Sequence, residues 1–520
     1  VMSLVISSVA SAQSPNSYRF YDLRNYGGNI PGVGTDQPTP AFVGVELSDG
    51  AFVAATRQFE SLDRVGVWNP GTVSRTTANP FGYSFQLLPN PAGYGQTYLW
   101  GMSALGKLAG RTMPETGLQQ GFTWNNSVFT IHPPVLEEKS EIFDVNDSGY
   151  ACGEERDSNS NQNKPILVTP QGSFQLPVWD GFPNGAGQAN ALTASGTPYG
   201  WIATASSSSG GQITRPAYWT DPFTLVFSDN SLFDSTTNAM FVDVNGSGTG
   251  VGSYFVVVGQ QSQQRGFIWD AQSAPVALQQ FVPIEINDSN WILGKELNGA
   301  RIRFPSGTFY DLPSGSFSGA QSGVTWNSVT YESINNHGWV SGVGVNTFVG
   351  QQRLNRPFVA IPQFGEATIT VTVSLSDLAD PAEAAGEPIS WSIRQAGYQQ
   401  EAGVATLSLV GSSYQFQCST TLRGPIEVFV KGTTWLQRKS PTISLPTNSS
   451  SGATSVILLN GDCDGDNVVT VFDYIMISDA FDTSVGQSGY NPLADLDQDG
   501  SVTIFDYNIL SGNFDTAGDE

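Results

Sequence analysis

The stretch Asp462-Cys-Asp-Gly-Asp-Asn-Val-Val-Thr-Val-Phe-Asp473 returns 33 residues later as Asp495-Leu-Asp-Gln-Asp-Gly-Ser-Val-Thr-Ile-Phe-Asp506. Each copy places carboxylates at positions 1, 3, 5 and 12 of a 12-residue loop. A hard divalent cation needs about six or more oxygen ligands, and such a loop supplies them from these side chains and from the backbone carbonyl at position 7. The pattern therefore predicts two loops that each bind one Ca²⁺ ion.

The two loops supply equivalent ligand sets. The predicted ligands are Asp462, Asp464, Asp466, the carbonyl of Val468 and Asp473 in the first loop, and Asp495, Asp497, Asp499, the carbonyl of Ser501 and Asp506 in the second. Thr470 and Thr503, at position 9, are expected to reach the ion through a water molecule. The sixth position must turn at positive φ, which Gly500 does without strain and Asn467 tolerates.

Each loop leads into a segment with an apolar stripe at helical spacing. The stripes are Tyr474, Ile477 and Phe481 after the first loop, and Tyr507, Leu510 and Phe514 after the second. We expect two loop-helix units that face each other and bury these stripes. This duplicated arrangement, over about residues 460–520, resembles a type I dockerin. The resemblance implies a small calcium-dependent module that docks secreted proteins onto cohesins.

Loop positions 10 and 11 depart from the dockerin pattern. Dockerins that bind cohesins usually carry a small hydroxyl pair there, whereas this chain has Val471-Phe472 and Ile504-Phe505. Bulky apolar residues at these positions would serve a different partner or pack against the preceding domain. We assign these four residues to partner binding, with a cohesin-like protein or a second copy of the chain as the partner.

A second pattern repeats through the N-terminal two-thirds of the chain. A turn flanked by apolar runs recurs seven times, with a marker residue at Gly50, Gly106, Gly149, Gly196, Gly248, Asn290 and Gly338. The intervals between markers run from 42 to 56 residues, which suits four-stranded propeller blades. An Asn-Asp-x-Gly turn between two apolar runs marks the tip of a hairpin. The sequence therefore predicts a seven-bladed β-propeller.

The clearest copies, such as Val145-Asn-Asp-Ser-Gly-Tyr-Ala-Cys-Gly153, are followed by strands that end in an aromatic residue, such as Gly266-Phe-Ile-Trp269. This pattern resembles the extracellular HAF repeat, which implies a propeller architecture and says little about a ligand. Tyr18-Arg-Phe-Tyr-Asp-Leu23 resembles the strand that ends such a unit, although it precedes the first copy. If this strand completes the blade of the last repeat, it would close the ring by joining the two ends of the domain.

Between the repeats and the acidic loops, residues 367–459 alternate apolar and polar side chains with the period of a half-buried strand. About seven strands in this region predict a small β-sandwich. The stretch Leu422-Arg-Gly-Pro-Ile-Glu-Val-Phe-Val-Lys-Gly432 is similar to carboxypeptidase-regulatory-like modules, which implies a spacer. The chain is thus expected to be mainly β, with a signal peptide remnant at 1–13, a propeller at 14–363, a sandwich at 364–458 and a dockerin-like helical module at 459–520.

Charge and chain ends bound the cellular setting. The net charge is −24, and residues 460–520 hold 13 acidic residues with no Lys or Arg. This acidity argues against nucleic acid as a partner, because a nucleic-acid-binding protein must neutralise phosphates. The stretch 2–13 looks like the apolar segment and cleavage site of a secretory signal, and no later run reaches the ~20 apolar residues of a membrane span. We expect a secreted, extracellular or cell-surface protein without a membrane span.

The three cysteines are too few for a disulfide framework. In an oxidising compartment Cys418 and Cys463 would be able to pair and tie the sandwich to the calcium module, with Cys152 buried and free. The sequence leaves this bridge open.

Catalytic signals are weak. His132 and His337 are the only histidines, and both are more simply explained as loop residues than as parts of a Ser-His-Asp or zinc mechanism. An acid pair for glycoside hydrolysis would come from Glu137, Glu138, Glu141, Glu154 and Glu155, which are dense in one segment. A solvated charged loop is the simpler interpretation of that segment, and no residue is assigned to catalysis.

These features favour a non-catalytic binding or assembly protein that attaches to a partner, or to itself, through the calcium-dependent module. Extracellular glycan is a further candidate ligand. Two alternatives stay open at this point. One is an extracellular polysaccharide-degrading enzyme, a glycoside hydrolase or lyase, with a docking module. The other is a calcium-stabilised structural subunit of a surface layer or extracellular filament.

Overall fold

The computed structural model describes residues 15–23, 41–58, 63–71, 82–134, 137–182, 185–206, 211–228, 232–233, 238–270, 273–297, 299–348, 350–380, 384–395, 398–411, 413–446 and 449–519. The expected signal peptide remnant at 1–13 lies outside these residues. The chain divides into two compact units, Ser17–Pro362 and a second that contains Gln363–Glu520. In the described ranges, neither helix has the length and apolar character that crossing a bilayer requires.

The first unit is built from antiparallel sheets. Its strands are β1 (Ser17–Asp22), β2 (Ala41–Leu47), β3 (Val53–Gln58), β4 (Arg64–Asn69), β5 (Ser84–Leu87), β6 (Tyr94–Met102), β7 (Leu108–Pro114), β8 (Gln120–Asn125), β9 (Val128–His132), β10 (Glu137–Val145), β11 (Ala151–Asp157), β12 (Gln162–Thr169), β13 (Gly172–Gln175), β14 (Gly187–Leu192), β15 (Pro198–Ser206), β16 (Gln212–Asp221), β17 (Thr224–Phe227), β18 (Ala239–Val244), β19 (Gly250–Val258), β20 (Gln261–Trp269), β21 (Val276–Ala277), β22 (Val282–Ile286), β23 (Ile292–Glu296), β24 (Gly299–Arg303), β25 (Phe309–Asp311), β26 (Phe317–Ser318), β27 (Val324–Ile334), β28 (Val340–Phe348) and β29 (Gln351–Gln363).

These strands form six four-stranded meanders, β2–β5, β6–β9, β10–β13, β14–β17, β18–β21 and β22–β25, and a five-stranded sheet in the order β1-β29-β28-β27-β26. Each sheet packs against the next one along the chain, and β2 of the first meander packs against β27 and β28 of the five-stranded sheet. Four-stranded sheets arranged in succession around an axis are the mark of a propeller. The unit therefore has a β-propeller-like fold.

The repeated turns lie at hairpin tips, as the sequence predicted. In six of the seven, the N–H of the marker residue donates to the carbonyl three residues earlier, as from Gly149 to Asn146 at 3.0 Å and from Gly338 to Asn335 at 2.9 Å. The first copy is one residue out of the predicted register. The residue at positive φ there is Ala51, at 58°, rather than Gly50, and its N–H donates to Ser48.

The turn glycines combine a backbone requirement with close packing. Gly338 has a φ of 73°, and a Cβ on it would lie 2.5 Å from the Trp291 ring of the preceding repeat. Gly196 stands in the same relation to Tyr150, at 2.8 Å. Asn side chains also join neighbouring turns, since Asn287 Nδ2 donates to the Asn335 carbonyl at 2.9 Å. The repeated motif thus joins each sheet to the next.

The aromatic residues near the end of the third strand of a meander pack in the core. Trp219 is fully buried and shares a cluster with Cys152 and Leu167 of the preceding meander. Trp269 packs in the same way with Ala191 and Tyr199. These contacts place the recurring aromatic residues between adjacent sheets.

Strand β1 joins the N-terminal end of this unit to its C-terminal end, because it pairs with β29 in the sheet of the last repeat. Asp22, fully buried, accepts hydrogen bonds from Arg356 Nη2 at 2.7 Å and from Asn346 Nδ2 at 2.8 Å. The Asp22 N–H also donates to Gln321 Oε1 at 3.0 Å. The expected closing strand is therefore fixed by a buried ion pair as well as by its backbone.

The first unit contains a cavity of about 130 Å³ that is lined by five carboxylates, each from a different sheet, namely Glu46, Asp144, Asp243, Glu285 and Glu332. Asp144 accepts the N–H of Leu192 at 2.7 Å, and Asp243 accepts that of Ile286 at 2.8 Å, so these carboxylates also bond to the next sheet. Burial, with repulsion from Glu332 second, raises the pKa of Glu46 to about 8. Burial also raises the pKa values of Asp144 and Asp243 to about 7.

These raised pKa values predict how the stability of the propeller-like unit depends on pH. A carboxyl whose pKa is higher in the folded than in the unfolded state stabilises the fold fully below the unfolded value, and this contribution is lost as the pH rises through the folded value. We expect the calcium-independent melting transition at pH 6 to lie roughly 3–5 °C above that at pH 8. Scanning calorimetry in chelator measures this, and Glu46→Gln should reduce the difference. A transition that rises toward pH 8 would contradict the assignment.

The second unit begins with nine strands, β30 (Ala367–Leu375), β31 (Pro388–Gln395), β32 (Tyr398–Thr406), β33 (Ser408–Val410), β34 (Ser413–Thr420), β35 (Gly424–Lys431), β36 (Arg438–Lys439), β37 (Ile443–Leu445) and β38 (Ser451–Leu458). They form one sheet in the order β33-β34-β30-β38 and another in the order β32-β31-β35-β36, with β37 paired to β35. The pairing of β30 with β38 is parallel. We call these strands the two-sheet region.

The C-terminal module, residues 460–519, contains α1 (Val471–Ala480), β39 (Thr483–Ser484), β40 (Ser501–Val502) and α2 (Ile504–Gly512). Each helix begins two residues before the end of an acidic loop.

The bridge between Cys418 and Cys463 is not present, and all three cysteines are free and buried. Cys418 lies within β34, where its thiol faces the carbonyl of Ile369 on the adjacent strand. Cys463 belongs to the core of the C-terminal module. Each thiol is therefore taken up by a separate core, and burial raises the pKa of both.

Candidate metal centre and docking surface

Both acidic loops end in a capped helix. Thr470 is the N-cap of α1, and its side chain accepts the N–H of Phe472 at 3.2 Å, while Asp473 accepts the N–H of Thr470 at 2.7 Å. Thr503 and Asp506 repeat this capping box at α2. Position 9 thus caps the helix in addition to its expected role, and position 12 is held by the first helical turn.

The turn at position 6 has the predicted backbone. Asn467 has a φ of 73° and Gly500 a φ of 88°, so both lie in the left-handed region that these residue types tolerate.

Short β pairings fix position 7 of each loop. Val468 bridges to Ala517, in the segment that follows α2, and Ser501 pairs with Ser484 of β39, in the segment that follows α1. Each loop is therefore held by the segment that follows the helix of the other loop-helix unit. This exchange makes the two units one structure.

The fold brings the predicted acidic ligands together. Ligand oxygens lie within 4.8 Å of one another in two groups, Asp462, Asp464 and Asp473, and Asp495, Asp497 and Asp499. Asp466 and Asp506 complete the loop positions: Asp466 accepts the N–H of Val468 at 2.9 Å, and Asp506 accepts that of Leu496 at 2.6 Å. Every predicted carboxylate thus lies in one of the two loops in an ordered hydrogen-bond network.

The charge of the two groups points to a cation. Burial, and then repulsion among the carboxylates, raises the pKa of Asp497 to about 6. Asp462 and Asp495 are nearly inaccessible, and their Oδ1 atoms have no hydrogen-bond partner among the described residues. A buried carboxylate oxygen without a donor is costly, whereas an oxygen-rich loop of this geometry suits Ca²⁺. The residues present therefore fit calcium.

The two helices expose more apolar surface than the sequence predicted. At the centre of the pair, Ile477 and Leu510 are buried as expected. The other stripe residues are partly exposed, namely Tyr474, Phe481, Tyr507 and Phe514. Tyr474 and Tyr507 meet across the helix pair, with ring centroids 6.0 Å apart, but both keep part of their surface exposed, so the stripes are only partly buried.

The four residues assigned to partner binding form two matched exposed pairs. Val471 and Phe472 are 51% and 63% exposed, and Ile504 and Phe505 have the same two values. They lie in the first turn of α1 and of α2. More than half of each side chain is exposed, so both pairs are accessible to a partner.

The packing of the two-sheet region against the first loop was not apparent from the sequence. Leu436, in the connection between β35 and β36, is fully buried in the core of the C-terminal module beside Val469 and Leu510. Its N–H donates to Leu459 at 2.8 Å, and Gln437 N donates to Asn467 Oδ1 at 2.7 Å. A single Leu in a loop carries no pattern that identifies a partner core about 25 residues away or more.

The weak catalytic candidates occupy structural positions. His132 is the last residue of β9 rather than a loop residue. Its Nε2 lies 2.9 Å from Thr123 Oγ1, and burial lowers its pKa to about 4. His337 lies at a turn with its ring 6.0 Å from that of Trp339, and burial lowers its pKa.

Among the acidic candidates, Glu141 and Glu154 face each other across β10 and β11, and each is 6% exposed. Glu141 pairs with Arg111 at 3.3 Å and with Lys139 at 3.5 Å. Glu154 accepts a hydrogen bond from Asn163, and burial, followed by the charge of Glu141, raises its pKa to about 7. Glu138 pairs with Arg156 at 3.4 Å, and Glu155 is buried. These acids lie in strands β10 and β11, so the interpretation of the segment as a solvated charged loop is wrong. The buried Glu141 and Glu154 have the character of an internal ion-pair network. Glu137 lies in β10, and its side chain is outside the described set.

Residues 460–514 match the dockerin type I domain family. This module is a dockerin domain. Domains of this family bind calcium, in agreement with the acidic loops above. The matched stretch covers both loops and both helices, from Asn460 to Phe514.

Solved structures resemble different parts of the chain at low identity. A type II cohesin-X-dockerin complex from Acetivibrio cellulolyticus is 18% identical over 29% of this chain and 97% of that chain, with a TM-score of 0.24. The β-propeller domain of the Trilobed protease from Pyrococcus furiosus is 9% identical over 62% of this chain and 93% of that chain, with a TM-score of 0.41. A virginiamycin B lyase from Staphylococcus aureus is 9% identical over 66% of this chain and 99% of that chain, with a TM-score of 0.36. No curated protein matches the chain.

Proposed function

We propose that this chain is a secreted or cell-surface binding and assembly protein, in which a non-catalytic propeller is attached to a partner by a dockerin domain that holds two Ca²⁺ ions. The single observation that carries the proposal is the duplicated dockerin surface. Each acidic loop leads into a helix that starts with an exposed apolar pair, and the two pairs match in exposure. A surface that recurs in this way around two ion sites suits calcium-dependent docking.

The rest of the chain has supporting roles in this proposal. The seven sheets of the first unit are the blades of a seven-bladed propeller of HAF-like repeats within 14–363, closed by β1. The two-sheet region is a β-sandwich spacer within 364–458, and the dockerin occupies 459–520. The partner is a cohesin-like protein, as in the cohesin-X-dockerin complex, or a second copy of this chain.

The proposed ligands of the first ion are Asp462, Asp464, Asp466, the Val468 carbonyl and Asp473, and those of the second are Asp495, Asp497, Asp499, the Ser501 carbonyl and Asp506. Bound calcium would neutralise much of the charge that these carboxylates bring together. The chain's own residues then do the docking, because the capped helices fix the direction in which the apolar pairs point.

The proposal is tested by binding the full chain to type I and type II cohesins in calcium and in chelator, with sedimentation velocity of the chain alone as the assay for self-association. Calcium-dependent binding in either experiment supports the proposal. Absence of cohesin binding together with a monomeric chain in millimolar calcium would contradict it.

The apolar pairs predict a loss of binding on substitution. Phe472→Ala with Phe505→Ala should weaken calcium-dependent binding at least 30-fold, about 2 kcal/mol, because exposed aromatic anchors carry much of the energy of an interface. Isothermal titration measures the affinity. Phe223→Ala, which removes an 81% exposed Phe from the propeller-like unit, is the matched control and should leave the affinity unchanged. Equal affinities for the double variant and the control would show that the two apolar pairs do not form the docking surface.

A further inference from the structure

The two calcium loops are alike inside and different outside. In both, the position 1 carboxylate keeps one buried oxygen without a donor among the described residues, on Asp462 and on Asp495. The other oxygen of each accepts a loop N–H, from Asn467 at 3.1 Å and from Gly500 at 2.9 Å. The difference lies in the one further donor that reaches this second oxygen.

In the first loop this donor is a cation. The ammonium of Lys431, at the end of β35, forms an ion pair with Asp462 Oδ2. In the second loop the donor is neutral, because the Tyr490 hydroxyl donates to Asp495 Oδ2 at 2.7 Å. Residues 460–520 contain no Lys or Arg, so the charge at the first loop comes from the two-sheet region.

Hydrogen bonds hold the chain around Lys431 against the first loop. The segment that follows it is joined to the start of the loop by hydrogen bonds from Gly461 N at 3.0 Å and Asp462 N at 2.9 Å to the Thr434 carbonyl. Thr434 Oγ1 also donates to Asn460 Oδ1 at 2.9 Å. Asp462 is fully buried, and the Lys431 side chain is 24% exposed. A partly buried charge held against a proposed ion ligand is screened less by solvent than a surface pair.

We propose that Lys431 is a built-in counter-charge of the first loop, which makes that loop the weaker of the two calcium sites and lets the two-sheet region set its affinity. This inference rests on the proposed binding of calcium at both loops. The affinity of acidic loops for calcium rises with the charge of their ligands, and an ammonium on one ligand lowers that charge. The same ammonium relieves repulsion among the loop carboxylates before calcium binds, and so stabilises the calcium-free form.

Lys431→Met removes the charge and keeps the length of the side chain. In an Asp506→Asn background, where the second loop is disabled, this change should lower the calcium dissociation constant of the first loop about tenfold, a typical effect of one charge at this range in a solvated setting. Competition with a chromophoric chelator measures the constant in the full chain. In wild type the change should also bring a two-step calcium isotherm closer to one step, and it should lower the melting temperature of the dockerin in chelator.

Two controls separate charge from structure. Lys439→Met causes the same change in net charge in the same sheet, but Lys439 pairs with Glu427 at 3.2 Å and is 50% exposed, so loop affinity should change less than twofold. Tyr490→Phe removes the neutral donor at the second loop and should not tighten calcium there.

An unchanged or larger dissociation constant in Lys431→Met, while both loops still bind calcium, overturns this inference alone. Lys431 would then either orient the Asp462 carboxylate or have no role at the first loop. A wild-type chain that binds no calcium overturns the inference together with the proposed function.

Discussion

Replacing Asp473 by Asn is expected to leave the chain with calcium at the second loop only and to lower the free energy of unfolding of the calcium-loaded dockerin by about 3–5 kcal/mol. Asp473 is fully buried and accepts three backbone N–H groups, from Cys463 at 2.7 Å, Asp464 at 3.1 Å and Thr470 at 2.7 Å. An amide nitrogen in place of one oxygen faces these donors without accepting from them. The same substitution removes a proposed bidentate ligand.

Isothermal titration gives the number of ions, and scanning calorimetry of the full chain, in calcium and in chelator, identifies the dockerin transition by its calcium dependence. Asp479→Asn makes the same chemical change at an exposed position of α1 outside the loop, and both the stoichiometry and the transition should stay as in wild type. Two ions bound to the Asp473 variant would show that position 12 is not a ligand.

Replacing Arg356 by Met is expected to destabilise the propeller-like unit by about 3–5 kcal/mol, the usual cost of leaving a buried charge without its partner. Arg356 Nη2 lies 2.7 Å from each carboxylate oxygen of Asp22, and the side chains are 5% and 0% exposed. Without the guanidinium, the buried carboxylate of Asp22 loses its charged partner. Strand β1 then loses its main side-chain anchor in the last sheet.

Urea denaturation in chelator follows the calcium-independent unit. Asp22→Asn combined with Arg356→Met removes both charges, and we expect this pair to be more stable than Arg356→Met alone. Arg19→Met, on an exposed position of the same strand, should change stability by less than about 0.5 kcal/mol. A single Arg356→Met variant as stable as Arg19→Met would show that the ion pair does not secure the closing strand.

Local chemistry explains why several features were predictable. Only a few residue types accept positive φ, so Asn467 and Gly500 identified the turn of each loop. The apolar stripes at i, i+3 and i+7 after each loop predicted the two helices. The repeated turn identified hairpin tips, and the similarity of the strand at Tyr18 to a repeat end suggested the pairing in the last sheet that the structure has.

Features that depend on distant contacts were not predictable in the same way. In the first copy the sequence placed the turn marker at Gly50, because Gly accepts positive φ more readily than Ala. The structure has the positive φ at Ala51 instead. The dockerin stripes were expected to be buried along their length, but helix crossing geometry decides which residues meet. Lys431 and Leu436 contribute to the first loop through tertiary packing, which leaves no periodic signal in a single sequence.

The order of strands in the last sheet bears on how the chain withstands mechanical load. Strand β29 leads directly into the second unit and is hydrogen-bonded on one side to β28 and on the other to β1. Tension applied through a tethered C-terminus therefore enters the propeller-like unit at a strand of 13 residues with a neighbour on each side. To extract it, a pulling force has to break the hydrogen bonds to both neighbouring strands, so pairing with the N-terminal strand raises the resistance of this sheet to extension.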